Sequence, residues 1–260
     1  MDLGIAGRNA IVCASSQGLG RACAEALIAE GVTVVINGRD AAKLATTAGE
    51  MRSATPGAVV LPVAADITTA EGRAALLAAC PEPDILVTNN VGPKPGSITE
   101  VTDEDLAWAL QLHYWTPITL LRAVLPGMVD RKFGRIVNIT SAMVTRPSGQ
   151  MVASAGARAG QTAVMKGVSG EVAKYNVTIN NLLPERIDSP RQDHMAHVEM
   201  ERSGITYEEA RHRQAASLAT KRLGRPSELG ATCAFLCSVH ASFISGMNMH
   251  LDGGSYPGLV

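Results

Sequence analysis

Neither sign of charge dominates this chain. Its 23 lysines and arginines meet 24 aspartates and glutamates, for a formal net charge of −1. With charged residues at 18%, no basic stripe or acidic tail marks a nucleic-acid or polyanion partner. Aromatics are scarcer, at 3%, while alanine and glycine abound, which suits close packing of helices on a sheet. No apolar run reaches the ~18 residues needed to span a bilayer, so no membrane partner is expected. The N-terminus lacks the basic-then-apolar pattern of a secretory signal. Cys13, Cys23, Cys80, Cys233 and Cys237 are odd in number and scattered. Cys233 and Cys237 stand one helical turn apart, but no second ligand pair accompanies them. No metal site is expected, and all five read as reduced thiols of a cytoplasmic protein. There is no internal repeat, low-complexity tract or linker. A single α/β domain over 1–260 is expected, long enough to bury about three quarters of its unfolded surface.

What is present is organised around residues 8–20. Ala10 to Cys13 read as a short buried strand. Ala14, Ser15, Ser16, Gln17, Gly18, Leu19 and Gly20 form a turn of mostly small residues, and Arg21 to Glu30 a helix. A strand, a glycine-rich turn and a helix N-terminus make an anion site, because the first-turn N–H groups lack partners and the helix dipole favours phosphate. Gly18 and Gly20 permit an approach that a Cβ would block. An ordinary βα turn is the plain alternative, since a glycine pair alone is a weak signal. A second strand, Thr33 to Asn37, follows at βαβ spacing and ends in Gly38-Arg39.

The pattern continues with a helix over Ala41 to Met51 and a strand over Ala58 to Ala64. Asp66-Ile67 follows, offering either a carboxylate for an adenine amino group or an N-cap for a helix over Thr69 to Cys80. Asp84 to Thr88 is a fourth strand, ending in Asn89-Asn90-Val91-Gly92, where ligands bind in open parallel sheets. A long helix is expected from Asp103 to Asp130, with Leu106, Leu110, Leu120, Leu121, Val124 and Leu125 as its buried stripe. Pro117 inside it should free the carbonyl of His113, four residues back. Arg135 to Thr140 is a fifth strand leading into Ser141. Met151 to Lys174 is a helix with a small-residue face, Val177 to Leu183 a sixth strand, and Pro184 its end. Residues 190–219 turn polar and charged and read as a mobile helical flap. Ser227 to Cys237 and Met247 to Leu251 supply a last helix and a seventh strand. Strands alternating with helices imply a doubly wound parallel sheet of seven strands, covered on both faces.

With these landmarks, nearly the whole chain resembles the short-chain dehydrogenase/reductase family, a Rossmann-like fold. Cys13 to Gly20 matches the family's phosphate-binding loop, with Ala14 where the first glycine usually stands. Asn89-Asn90-Val91-Gly92 matches its Asn-Asn-Ala-Gly motif, and Arg135 to Ser141 the strand ending in the catalytic serine. Asn181 to Pro184 and Leu251 to Gly254 match later signatures. The resemblance implies cofactor contacts from the loop, Gly38, Arg39, Asp66, Ile67, the 89–92 motif, Arg158, Pro184, Glu185 and Ile187. At the family's tyrosine and lysine positions this chain holds Ser154 and Arg158. His113 aligns with its helix asparagine, and Glu185 with the glycine usually following the proline. Of the four usual catalytic residues only Ser141 remains.

Those changes alter the chemistry. A serine hydroxyl has far too high a pKa to replace an activated tyrosine as general acid. Arg158 keeps the charge and offers a planar fork to a ribose diol or carboxylate, but cannot shuttle protons. His113 is the nearby group that titrates close to neutrality, so it reads either as the proton-transfer residue or as a packed helix histidine. Glu185 faces either the nicotinamide carboxamide or solvent. Arg39, with no carboxylate at the end of the second strand, favours NADP(H), although stacking on adenine would also suit NAD(H).

The expected activity is hydride transfer to or from a small carbonyl or alcohol, or a conjugated C=C or C=N bond, with a non-standard proton donor. A nucleotide-binding pseudoenzyme or regulatory protein is one alternative and a non-redox lyase another. Dehalogenase-like relatives typically keep the tyrosine and lose the nucleotide loop; this chain does the reverse. Small and apolar faces on the helices over 104–130 and 152–174 suggest a homotetramer or homodimer.

Overall fold

The computed structural model describes residues 1–259. Seven strands form one parallel sheet: β1 (Asn9–Val12), β2 (Thr33–Gly38), β3 (Val60–Ala64), β4 (Ile85–Thr88), β5 (Gly134–Ile139), β6 (Val177–Pro184) and β7 (Asn248–Leu251). Their order is β3-β2-β1-β4-β5-β6-β7. Winding therefore reverses between β1 and β4, which pair at Val12–Val87, and opens a crevice beyond their carboxyl ends.

Period-two alternation divides the strand side chains between two cores. Ala10, Val12, Val34 and Ile36 face the helices α1 (Gly18–Ala29), α2 (Ala41–Ala54) and α9 (Pro226–Cys237). Ile11, Cys13 and Val35 face α3 (Ala70–Ala79), α5 (Thr116–Asp130) and α6 (Val152–Val172). A line of side-chain amides crosses the sheet within this frame. Thr88 Oγ1 donates to Asn138 Oδ1 at 2.7 Å, Asn138 Nδ2 to Asn181 Oδ1 at 3.0 Å, and Asn181 Nδ2 to Asn248 Oδ1 at 2.8 Å. Each buried amide thus finds a partner on the next strand.

Several expectations change. The long helix is broken: α4 (Asp103–Leu110) runs into a π-helical turn at Gln111–Trp115 before α5. Pro117 is the physical cause, since it has no N–H to continue the ladder. Thr116 N–H reaches back to Gln111 O, and it is the Leu112 carbonyl that a side chain takes up, accepting from Asn90 Nδ2 at 3.5 Å. Leu110 is 41% exposed rather than buried, because α4 meets α6 through Leu106 and Ala109, packed against Ala153 and Ala157. Asp66 does not cap α3; Thr69 does, accepting from Gly72 N–H. The charged segment is helical, as expected, and divides into α7 (Pro190–Ser203) and α8 (Tyr207–Ala216), tied by Gln214 Nε2 donating to Gln192 O at 3.0 Å.

Candidate active site

The glycine-rich loop is held open by Asn37. Its Oδ1 accepts from Ala14 N–H at 3.3 Å, and its Nδ2 donates to the carbonyls of Val63 and Ala65. Ser15 exchanges bonds with the same residue: Ser15 N–H donates to Asn37 O at 2.7 Å, and Asn37 N–H to Ser15 Oγ at 2.9 Å. Asn37 therefore fastens the loop to the ends of β2 and β3. Ala14 turns the chain with φ +46°, left-handed backbone that costs a side-chain-bearing residue energy. A Cβ on Gly20 would stand 2.4 Å from Ala14 O and 2.9 Å from Asn89 Nδ2, so only glycine fits. Helix α1 starts at Gly18, and Gln17 provides no side-chain cap. Its first-turn N–H groups thus point into the crevice beside Ser16 and Leu19, a fit for a pyrophosphate.

Beyond β2 stand the residues expected to meet an adenosine. Gly38 is close enough to Ser16 that a Cβ would sit 3.2 Å from Ser16 Oγ. Arg39 is exposed and has no hydrogen bond or ion pair among the described residues. Lys43, on the first turn of α2, donates to Gln17 Oε1 of the loop. Asp66 accepts from both the N–H and the hydroxyl of Thr68. Partial burial works to raise the Asp66 pKa, but those two bonds and Arg39 outweigh it and hold the carboxyl below its ordinary value. Ile67 is buried. Across the crevice, Asn90 Oδ1 accepts from Val91 N–H, and Val91 and Gly92 are exposed.

Three of the four proposed catalytic residues meet directly. Arg158 is buried on α6, donating from Nε to Ser154 Oγ at 3.3 Å and from Nη1 to Ile139 O at 2.9 Å. Its Nη2 lies 3.3 Å from His113 Nε2. Burial, and then the nearby Arg191, bring the Arg158 pKa down to about 10, so the guanidinium stays charged at neutral pH. Burial first, then Arg158 and Arg191, hold the His113 imidazole well below its ordinary pKa. Ser141 stands at the same strand end, two residues past the carbonyl that Arg158 holds, and its Oγ accepts from Met143 N–H at 3.2 Å. A cavity of about 10 Å³, the size of one water site, adjoins His113 between Asn90, Thr116 and Gln161.

Glu185 is not part of this cluster. It lines a separate cavity of about 260 Å³ with Ile187, Arg222, His250 and Asp252, and its carboxylate lies 3.6 Å from Arg186 Nε. Burial raises its pKa, opposed by Arg186 and Arg146. Pro184 pairs with Leu251 of β7. Arg191, which sequence reasoning passed over, joins the site from the first turn of α7. Its Nη2 donates to Pro93 O at 3.4 Å, and its guanidinium lies over Gly92. The only sequence hint was a cation placed just after the Pro184 turn.

Residues 13–256 match the family model described as Enoyl-(Acyl carrier protein) reductase. The uncharacterized oxidoreductase YvaG of Bacillus subtilis is 30% identical over 98% of this chain and 98% of its own length. The NADPH-dependent reductase BacG of the same organism is 28% identical, covering 95% of this chain and 97% of that protein. L-sorbose reductase from Gluconobacter frateurii, in complex with NADPH and L-sorbose, superposes with a TM-score of 0.93 at 30% identity over 100% of both chains. Sheet order, loop and matches together establish that the chain belongs to the short-chain dehydrogenase/reductase family.

Proposed function

We propose that this chain is an NADPH-dependent reductase that works without a tyrosine acid. Its substrate is a small molecule bearing a carbonyl or, better suited to this site, a conjugated C=C or C=N bond. The observation that carries the reading is the buried Ser154–Arg158–His113 cluster, charged but without a proton donor poised near neutrality.

The uncapped N–H groups of α1 and Gly18 suit a pyrophosphate, and Arg39 just past β2 with Lys43 on the first turn of α2 suits a ribose 2′-phosphate. The NADPH-dependent reductase BacG and the NADPH complex of L-sorbose reductase, both similar to this chain, support that assignment. When bound, the nicotinamide supplies hydride. Arg158, fixed by Ser154, Ile139 O and His113, has donors left to orient a ribose diol at the crevice. His113 serves as the acceptor that holds this fork in place. Ser141 offers its hydroxyl to the reacting group, with solvent as the ultimate proton source. A hydride acceptor whose charge is delocalised places the least demand on such a site, which is why conjugated C=C and C=N bonds suit it better than isolated ketones.

The same reading takes the chain as one cytoplasmic domain that pairs with copies of itself. Trp108, Leu110 and Trp115 are exposed along α4 and the π turn, an apolar stretch that a second subunit would cover.

The test is loss of NADPH absorbance across a panel of ketones, enones, enoates and imines. Turnover of conjugated acceptors above isolated ketones is the expected result. Tight NADPH binding with no turnover of any member would favour a nucleotide-binding regulatory protein instead.

A further inference from the structure

Arg158, buried beside His113, and Arg191, which lies over Gly92 beside Pro93, are two guanidinium groups with no carboxylate to balance them. Neither forms an ion pair among the described residues. Arg158 is only 8% exposed, and its partners are a hydroxyl, a carbonyl and an imidazole. Arg191 is half-buried, its polar contact being the long bond to Pro93 O. The two are near enough that Arg191 weakens proton binding at both Arg158 and His113.

The acids on the surrounding elements are engaged elsewhere. Asp188 pairs with Arg211 at 2.6 Å, Asp193 accepts from Tyr207 at 2.5 Å, Glu185 lies against Arg186, and Glu100 accepts from Ser97. Like charges held in a partly desolvated site cost energy that a bound anion offsets. Unbalanced cations beside a reaction site suit an anionic ligand. Their geometry also separates their tasks. Arg158 is clamped by three bonds and acts as a fixed charge. Arg191 projects from α7 over Gly92 with most of its donors unspent, so it is the group able to reach a ligand bidentately.

We propose that Arg191, backed by the fixed charge of Arg158, binds a carboxylate carried by the substrate next to its reducible bond. The substrate class is then an α,β-unsaturated or 2-oxo acid. This rests on the reductase reading, because it assigns the crevice beside Ser141 to substrate.

The test uses the full chain at low ionic strength, with and without saturating NADP+. Two matched pairs serve as probes: trans-2-hexenoate with trans-2-hexenamide, and 2-oxohexanoate with 2-oxohexanamide. Each acid should bind about 10–100-fold more tightly than its amide, the scale of one charge-assisted contact. Arg191→Met should abolish that preference, and Arg191→Lys should retain part of it. Equal binding of acid and amide, no binding of either at millimolar concentration, or a preference that survives Arg191→Met overturns the clamp. If Arg191→Met instead weakens NADPH binding about tenfold or more, the guanidinium belongs to the cofactor's pyrophosphate and the clamp is wrong. Failure of the unmodified protein to bind NADPH would sink the reductase reading alone, and the acid–amide comparison without cofactor would still decide the clamp.

Discussion

Arg158 Nη2 lies 3.3 Å from His113 Nε2, with both side chains buried. A guanidinium nitrogen only donates, so His113 accepts at Nε2 and carries its proton on Nδ1. Burial, reinforced by Arg158 and Arg191, keeps the folded imidazole neutral well below its ordinary pKa of 6.5. The unfolded chain, by contrast, binds a proton there once the pH drops below about 6.5. His113 therefore contributes full stability above that value, and the contribution falls away as the pH drops toward the folded pKa. The slope is at most about 1.4 kcal/mol per pH unit. Urea unfolding from about pH 7 to about pH 5 should show the unmodified protein losing more stability than His113→Gln, which keeps an acceptor. Parallel curves would show that His113 protonates freely when folded.

Ala14 makes a separate prediction. Its φ of +46° is a conformation that glycine adopts without cost. Ala14→Gly should stabilise the fold by roughly 1 kcal/mol, or about 2–4 °C in melting temperature for a chain of this size. A lower melting temperature would mean that the Ala14 methyl packs usefully.

Gly20 should tolerate no such change. The added Cβ of Gly20→Ala would meet Ala14 O at 2.4 Å, a backbone atom held by Asn89. The loop must shift, at a cost of about 1–3 kcal/mol, and NADPH affinity should fall with it. Unchanged melting and unchanged NADPH binding by calorimetry would contradict the close approach.

How much of this was readable in advance depends on the reach of each interaction. The parallel sheet was legible because Ala10 to Cys13, Thr33 to Asn37 and Asp84 to Thr88 are short apolar runs separated by helix-length spacings. The loop was legible because Gly18 and Gly20 are punctuation within one βα unit. The break at Gln111–Trp115 was half legible. Pro117 signalled a missing bond, but which carbonyl a side chain would claim depended on Asn90, 22 residues upstream. Arg191 and Asn37 were passed over because their partners lie on other elements. Pro93 is 98 residues from Arg191, and Val63 is 26 from Asn37.

Cofactor choice turns on Arg39, which is exposed and unpaired at the end of β2 among the described residues. NADPH should bind more tightly than NADH by about 1–3 kcal/mol, the worth of a charge-assisted contact. Arg39→Asp should reverse the order, since a carboxylate repels a 2′-phosphate and accepts from a 2′-hydroxyl. Calorimetry with both cofactors checks this, and equal affinities in the unmodified protein would count against it.

Reduction without a titrating protein acid is tested most directly by the pH profile of NADPH oxidation with a conjugated acceptor. Between about pH 6 and pH 9, Arg158 remains charged, with its pKa near 10, while His113 and Ser154 remain neutral. The rate should stay flat within about twofold across that range, for the unmodified protein and for His113→Gln alike. A limb with an apparent pKa near neutrality that disappears in His113→Gln, along with roughly 10²-fold of the rate, would make His113 the proton donor and contradict the assignment.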